Sequence, residues 1–304
     1  MVLEIILLVL SIIALYYGAE FALESAELIG YKIGLSPLAI GLLLVGFGTS
    51  LPEFFVSQIA TFNGVRGIAL GNILGSNIAN TLLILGVAGL LTPLAMNSKE
   101  VKGQLVFHVL VVLTLLGVIT YSKIDYITLA IFSVLFLVYL YITFRFMEQK
   151  NEQPQVEKIT IATIVKLMLG FGFLYGGGEL LVYSGEKLGL GLGISPYVIS
   201  AIFVAFGTSF PELVTTLIAC RKKKDTDLIV GNIIGSNIFN IAFVLGSLGF
   251  YNFSIESSYP MEKIVLICSS LILLILGYMN RPIFKFVGGL FLIGYAASVV
   301  YWLK

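Results

Sequence analysis

Apolar runs of about 18 or more residues recur from one end of this 304-residue chain to the other, and each is long enough to cross a bilayer as a helix. Only 12% of the residues are charged, whereas soluble domains are roughly 25% charged. This composition excludes a soluble enzyme and a secreted disulfide scaffold. The net charge of +1 offers no basic surface for a nucleic acid. We therefore predict an integral membrane protein.

Polar breaks divide the chain into ten predicted crossings, which leave no room for a soluble domain. The most polar break lies close to the midpoint. We expect an all-α fold with a first five-helix half at 1–147, a cytoplasmic linker at 148–158 and a second five-helix half at 159–304. The predicted crossings are 3–29, 37–62, 68–91, 104–121, 125–146, 159–186, 196–219, 228–249, 262–279 and 283–302.

The Lys and Arg residues are unevenly divided between the two sides of these crossings. Loops after the odd-numbered crossings carry most of them, including the run Arg221–Lys224, and the opposite side carries few. Cytoplasmic loops of membrane proteins are enriched in these residues. The basic side is therefore predicted to be cytoplasmic, and both termini are predicted to be extracellular. The basic-side residues are Lys32, Lys99, Lys102, Arg145, Lys150, Lys158, Arg221, Lys222, Lys223, Lys224, Arg281 and Lys285.

Two motifs occur twice in the chain. Val-Gly-Phe-Gly-Thr-Ser-Leu-Pro-Glu at 45–53 returns as Val-Ala-Phe-Gly-Thr-Ser-Phe-Pro-Glu at 204–212. Gly-Asn-Ile-Leu-Gly-Ser-Asn-Ile-Ala-Asn at 71–80 returns as Gly-Asn-Ile-Ile-Gly-Ser-Asn-Ile-Phe-Asn at 231–240. Because each predicted half has an odd number of crossings, the second copy enters the membrane from the opposite side. Inverted repeats of this kind are typical of transporters that bind substrate near the midplane.

Glu53 and Glu212 end the two copies of the first motif, inside apolar runs. A carboxylate at that depth costs several kcal/mol unless it is paired, protonated or bound to a cation. No Lys or Arg lies in the matching part of any predicted crossing. The sequence therefore predicts that a cation or a proton accompanies these two acids.

The two repeated motifs also contain residues whose oxygen atoms could bind such a cation. Pro52 and Pro211 lack an N–H and so free backbone carbonyls in the preceding turn. Ca²⁺ takes six to eight oxygen ligands, whereas soft metals prefer Cys or His, and the single His108 lies in another predicted crossing. The pattern favours a hard cation. Side-chain oxygens are offered by Ser50, Ser76, Asn80, Ser209, Ser236 and Asn240.

The doubled Gly-Thr-Ser-x-Pro-Glu and Gly-Asn-Ile-x-Gly-Ser-Asn motifs resemble those of the cation/calcium exchanger superfamily, and within it the prokaryotic sodium/calcium exchangers. The resemblance covers nearly the whole chain. It implies two inverted five-helix halves, in which crossings 2, 3, 7 and 8 hold the ions while the long crossings 1 and 6 slide. It also implies that Ca²⁺ and Na⁺ are the transported ions.

Carried over by motif position, the resemblance implies that Glu53 and Glu212 ligate Ca²⁺ with the backbone carbonyls of Thr49 and Thr208. One flanking Na⁺ site would use Gly46, Thr49, Ser50 and Ser76. The other would use Ala205, Thr208, Ser209 and Ser236, and Asn80 and Asn240 would line the central site. Some family members have Asp where this chain has Asn240, so the resemblance argues against K⁺ dependence.

We therefore predict a Na⁺/Ca²⁺ antiporter that is not an enzyme, works as a monomer in the lipid bilayer and binds no nucleic acid. A proton/calcium antiporter on the same scaffold stays an alternative, since Glu53 and Glu212 could cycle between protonated and Ca²⁺-bound forms. An intramembrane serine hydrolase is disfavoured, because His108 cannot serve as the base for both Ser50 and Ser209. A Ca²⁺ channel is a third alternative, and its ion flux would need no counter-ion gradient.

Overall fold

The computed structural model describes residues 2–145, 159–193 and 208–302. These residues are helical apart from loops and a short antiparallel pairing of Lys123–Ile124 (β1) with Phe253–Ser254 (β2). The helices are α1 (Val2–Lys32), α2 (Pro37–Thr49), α3 (Leu51–Phe62), α4 (Arg66–Leu91), α5 (Lys99–Tyr121), α6 (Tyr126–Arg145), α7 (Ile161–Gly191), α8 (Phe210–Arg221), α9 (Thr226–Tyr251), α10 (Pro260–Tyr278) and α11 (Lys285–Trp302).

Eight of the described helices are long and apolar enough to cross a membrane. There are nine if α2 and α3, which meet at a bend of 41°, are counted as one span. The predicted seventh crossing, 196–219, falls partly outside the described residues, and α8 is its described end. A mostly helical, multi-pass fold is confirmed, while the total of ten crossings and the inverted relation of the halves stay predictions.

The two helices that carry the second motif lie in the interior. In the most apolar segment of α9, 94% of the residues are buried, and in that of α4 78% are. The corresponding share is 22% in α1 and in α7. The outer helices therefore present mostly apolar side chains to lipid, whereas most motif residues of α4 and all those of α9 are buried.

The outer helices α1 and α7 are each 31 residues long, or about 46 Å at 1.5 Å per residue. They exceed the roughly 30 Å hydrocarbon core, so we expect them to tilt or to project from it. They pack against each other at glycines: a Cβ on Gly18 would lie 2.8 Å from the Leu174 amide nitrogen, and one on Gly170 would lie 2.6 Å from the Ala22 nitrogen. Small residues at such contacts let membrane helices approach closely.

The loops gather at two ends of the bundle. At one end, Leu94 bridges Ile283 and Lys102 Nζ donates to Asn280 Oδ1 at 2.8 Å, which joins the loops after α4 and α10. At the other end, β1 pairs with β2 and so joins the loops after α5 and α9. This grouping is what helices of alternating direction require.

Candidate functional site

Both copies of the first motif have the same backbone conformation at the serine that stands two residues before the proline. Ser50 has φ −88° and ψ 6°, and Ser209 has φ −87° and ψ 6°. Each serine is followed by a new helix whose second residue is proline, a position where the missing N–H costs no helical hydrogen bond. The next residue is Glu53 in α3 and Glu212 in α8. Both carboxylates therefore lie in a first helical turn, where the positive end of the helix dipole favours negative charge.

The two carboxylates are fully buried, each at 0% exposure, and each accepts a hydrogen bond from the other half of the chain. Ser50 Oγ donates to Glu212 Oε1 at 3.2 Å, and Ser209 Oγ donates to Glu53 Oε1 at 3.5 Å. The remaining Oε2 atom of each glutamate has no hydrogen-bond partner among the described residues. Each acid therefore keeps one oxygen available for a ligand.

The hydroxyls of both motifs also meet across the two halves. Thr208 Oγ1 lies 3.1 Å from Ser76 Oγ, and Thr49 Oγ1 lies 3.4 Å from Ser236 Oγ. Ser236 Oγ further donates to the Gly46 carbonyl at 3.2 Å. The structure thus brings together oxygen atoms of motif residues that are far apart in the sequence. Ala205, the remaining predicted Na⁺-site residue, lies outside the described residues.

Asn80 and Asn240 occupy equivalent places in widened, π-helical turns, which span Ala79–Ile84 in α4 and Phe239–Leu245 in α9. Both side chains are at 0% exposure. In the part of the chain that the structure describes, neither amide oxygen nor amide nitrogen of either residue has a partner. Buried polar atoms without partners are costly, and π-helical turns are frequent at functional sites.

The described residues supply no protein cation for the two buried acids, since no lysine, arginine or histidine forms an ion pair with either. No group of three His, Cys, Asp or Glu side chains suited to a metal is found within those residues either. A cation held by these two carboxylates would therefore complete its coordination with neutral oxygens.

The described lysines near α1 are engaged elsewhere. Lys222 Nζ contacts Glu20 at 2.9 Å and Glu24 at 2.8 Å, and Lys166 Nζ contacts Glu24 at 2.7 Å. Burial lowers the pKa of Lys222, but the hydrogen bonds to Glu24 and Glu20 outweigh burial, so its pKa is raised. These contacts connect α1 with α7 and with the end of α8.

Asn72 belongs to the site as well, although the sequence reasoning did not single it out. Its Nδ2 donates to the Glu53 carbonyl at 3.2 Å and to Ser57 Oγ at 3.0 Å, and its Oδ1 accepts from Thr208 Oγ1 at 2.8 Å. The signal that could have identified it is its place as the first Asn of the repeated Gly-Asn-Ile motif.

Comparison with known proteins places this geometry in a family. A family model described as "Sodium/calcium exchanger protein" matches residues 3–145 and 162–304. Sodium/calcium exchanger MaX1 of Methanosarcina acetivorans is 30% identical over 341 residues and covers 97% of each chain. Putative antiporter CaxA of Alkalimonas amylolytica is 36% identical over 259 residues, 81% of this chain and 80% of its own.

A solved structure is similar over nearly the whole chain. The sodium-calcium exchanger NCX_Mj, soaked with zero Na⁺ and Ca²⁺, superimposes with a TM-score of 0.87 at 31% identity and covers 99% of both chains. Together with the family match, this likeness confirms the predicted class, a transporter and not an enzyme. The chain belongs to the sodium/calcium exchanger family.

Proposed function

We propose that this cation/Ca²⁺ antiporter exchanges Na⁺ for Ca²⁺ by alternating access. The observation that carries the proposal is the pair of fully buried carboxylates, Glu53 and Glu212. They come from opposite halves of the chain, and among the described residues each has one oxygen without a partner and neither forms an ion pair. Hydrated cations could not reach such a place and stay hydrated, so protein oxygens must replace their water.

The charge of the site matches its proposed substrate. Two carboxylates carry −2, which offsets the +2 of Ca²⁺, and carboxylate, hydroxyl and carbonyl oxygens are the ligands that this ion prefers. Ser76 and Ser236, with Thr208 and Thr49 beside them, add neutral oxygens that suit Na⁺ in the flanking positions. Structures of the related NCX_Mj were obtained after soaking in Na⁺ with Ca²⁺ or Sr²⁺, which supports these ions as substrates here.

Competition for the same two acids would couple the two fluxes. Switching sides with two bare carboxylates is costly in hydrocarbon, so the switch requires bound cations that neutralise them. When Na⁺ occupies the site, Ca²⁺ is excluded, and the reverse holds too. Each turnover therefore carries one kind of ion in one direction and the other kind back.

The architecture proposed for this exchange has ten crossings in two inverted halves, with both termini outside and the central linker in the cytoplasm. Glu53 and Glu212 belong to the same chain, so the site needs no carboxylate from a second copy. We therefore infer that the monomer is the transporting unit.

The coupling ion is tested with purified protein in proteoliposomes, by imposing Na⁺, K⁺ and H⁺ gradients one at a time and measuring uptake of radioactive Ca²⁺. We expect uptake to require the Na⁺ gradient. Uptake driven by a pH gradient without Na⁺ would instead identify a proton/calcium antiporter, and flux without any counter-ion gradient would identify a channel.

The site is tested by Glu53→Gln and Glu212→Gln, each of which removes one negative charge from the proposed Ca²⁺ site. We expect Na⁺-dependent Ca²⁺ uptake to fall to background in both variants. Glu186→Gln is the matched control, because it removes an exposed carboxylate from α7 and should leave uptake near that of the unsubstituted protein. Uptake that persists in both site variants would refute the proposed site.

A further inference from the structure

Asn72 and Asn232 occupy the same position in the two copies of the second motif, 160 residues apart. Each lies on an interior helix, Asn72 on α4 and Asn232 on α9, one turn before the serine of that motif. Neither is among the residues predicted to bind an ion. The two side chains differ in the hydrogen bonds that they form with the helix that carries the glutamate of the same half.

Asn72 is fully engaged. Its Nδ2 holds the Glu53 backbone carbonyl and the Ser57 hydroxyl of the same half, at 3.2 Å and 3.0 Å. Its Oδ1 accepts a short hydrogen bond, 2.8 Å, from Thr208 of the other half. One side chain thus ties together α3, α4 and the turn that precedes α8.

Among the described residues, Asn232 forms only one of the three equivalent hydrogen bonds. The repeat pairs it with the Glu212 carbonyl, Thr216 and Thr49. Its one side-chain hydrogen bond with a described residue is accepted by Oδ1 from Thr49 Oγ1 at 3.5 Å, and that hydroxyl also donates to the Val45 carbonyl at 3.1 Å. Within the same residues, Asn232 Nδ2 and Thr216 Oγ1 have no partner, although both side chains are at most 2% exposed.

The difference between the two copies cannot come from the asparagines themselves, because both copies have the same residue on an equivalent helix. Buried donors and acceptors are normally paired, and leaving them unpaired costs stability. One copy satisfied and the other not is what one of two exchanging arrangements would show. In the second arrangement Asn232 would hold Glu212 and Thr216, while Asn72 would release its partners.

We propose that Asn72 and Asn232 are positioning residues used alternately, each securing the ion-binding glutamate of its own half in one of the two access states. The inference rests on the proposed antiport function, since inverted halves exchange conformations when access switches sides. Asn72 secures Glu53 in the state described here, and Asn232 secures Glu212 in the opposite state.

The energetic consequence is a shift of population between the two states. The net contribution of one hydrogen bond to stability changes an equilibrium constant by roughly three- to tenfold. Ion binding at one face requires the state that is open to that face, so its apparent KM rises as that state becomes less populated. Removing Asn72 and removing Asn232 should therefore raise the KM for Ca²⁺ at opposite faces of the membrane.

The test compares Asn72→Ala with Asn232→Ala in inside-out and right-side-out membrane vesicles, with the Ca²⁺ KM measured from each face. Each variant is expected to raise KM about three- to tenfold at one face, and the affected faces should differ. A milder second pair guards against misfolding. Ser57→Ala removes one partner of Asn72, Thr216→Val removes the equivalent hydroxyl, and each should affect the same face as its asparagine.

A purely structural role would slow exchange without favouring either face. A rise in KM at the same face for all four variants, or unchanged KM values at both faces, would overturn the alternating role while leaving the antiport function intact. Absence of Na⁺-dependent exchange in the unsubstituted protein would refute the proposed function, and this inference with it.

Discussion

At the scale of single residues, the formal charge of the proposed central site depends on one amide. Asn240 is buried in the π-helical turn of α9, and neither of its side-chain amide atoms has a partner among the described residues. An aspartate there would have nearly the same size and shape but would add a negative charge. With Glu53 and Glu212 the site would then carry −3, one more charge than Ca²⁺ neutralises.

We predict that Asn240→Asp tightens Ca²⁺ binding by roughly tenfold, the ratio that about 1.4 kcal/mol produces, and slows exchange. Binding gains from the third carboxylate, whereas the loaded site keeps a net charge that is costly to move. Titration calorimetry and proteoliposome flux measure the two effects. Asn237→Asp is the control: it lies on the same helix but donates to Thr81 Oγ1 at 2.9 Å, so it should lower stability without tightening Ca²⁺ binding. Weaker binding by Asn240→Asp would contradict the assignment of this position to the site.

At the scale of helices, glycines decide how closely α2 and α9 approach each other. A Cβ on Gly41 of α2 would overlap the Leu228 carbonyl and lie 2.7 Å from the Asn232 amide nitrogen. One on Gly235 of α9 would lie 2.6 Å from Leu42 Cα. These neighbours are backbone atoms, which cannot turn aside as a side chain could. The approach brings Thr49 within reach of Asn232 and Ser236.

Gly41→Ala is expected to destabilise the protein by about 1–3 kcal/mol, the usual cost of overpacking, and to reduce transport by separating α2 from α9. Thermal unfolding in detergent and Ca²⁺ uptake measure these effects. Gly117→Ala offers a matched control in α5, because a Cβ there meets nothing within 4 Å and alanine favours the helix. Equal melting temperatures for the two variants would show that this contact is not tight.

At the scale of the whole molecule, the basic residues Lys102 and Arg221–Lys224 lie at one end of the helix bundle. Lys102 lies at the end of the bundle where the loops after α4 and α10 meet, and the run Arg221–Lys224 follows α8 and contacts the end of α1 through Lys222 and Lys224. Loops after α5 and α9 meet at the other end. The basic end is the one we assign to the cytoplasm.

Single cysteines test this orientation after Cys220 and Cys268 have been replaced by serine. Lys223 and Glu256 are both exposed and lie at opposite ends of the bundle, Lys223 at the proposed cytoplasmic end. In intact cells, a membrane-impermeant maleimide should therefore label Glu256→Cys but not Lys223→Cys. Permeabilised cells provide the control, because both cysteines should then react. Labelling of Lys223→Cys in intact cells would reverse the proposed topology.

Much of the helical fold was predictable because lipid imposes a simple requirement on a crossing. A helix must be apolar over about 20 residues, and that pattern gave α4, α5, α6, α10 and α11 to within a few residues. The bend of 41° before α3 was not predicted, since the apolar pattern indicated one uninterrupted crossing at 37–62. The π-helical turns were not predicted either, because one extra residue in a turn does not interrupt the apolar run from which the helices were predicted.

That the chain spans a membrane, and that each copy of the first motif has one acid in an apolar run, could be predicted from the amino acids alone, because residue type and hydropathy are local properties. The folded structure was needed to show that Ser50 contacts Glu212 while Ser209 contacts Glu53, and that Asn72 accepts a hydrogen bond from Thr208 while Asn232 Nδ2 has no partner among the described residues. Such pairings join atoms more than 100 residues apart. They depend on how helices of the two halves pack together, as α2 and α9 do with backbone atoms close to each other, and no local pattern encodes that packing.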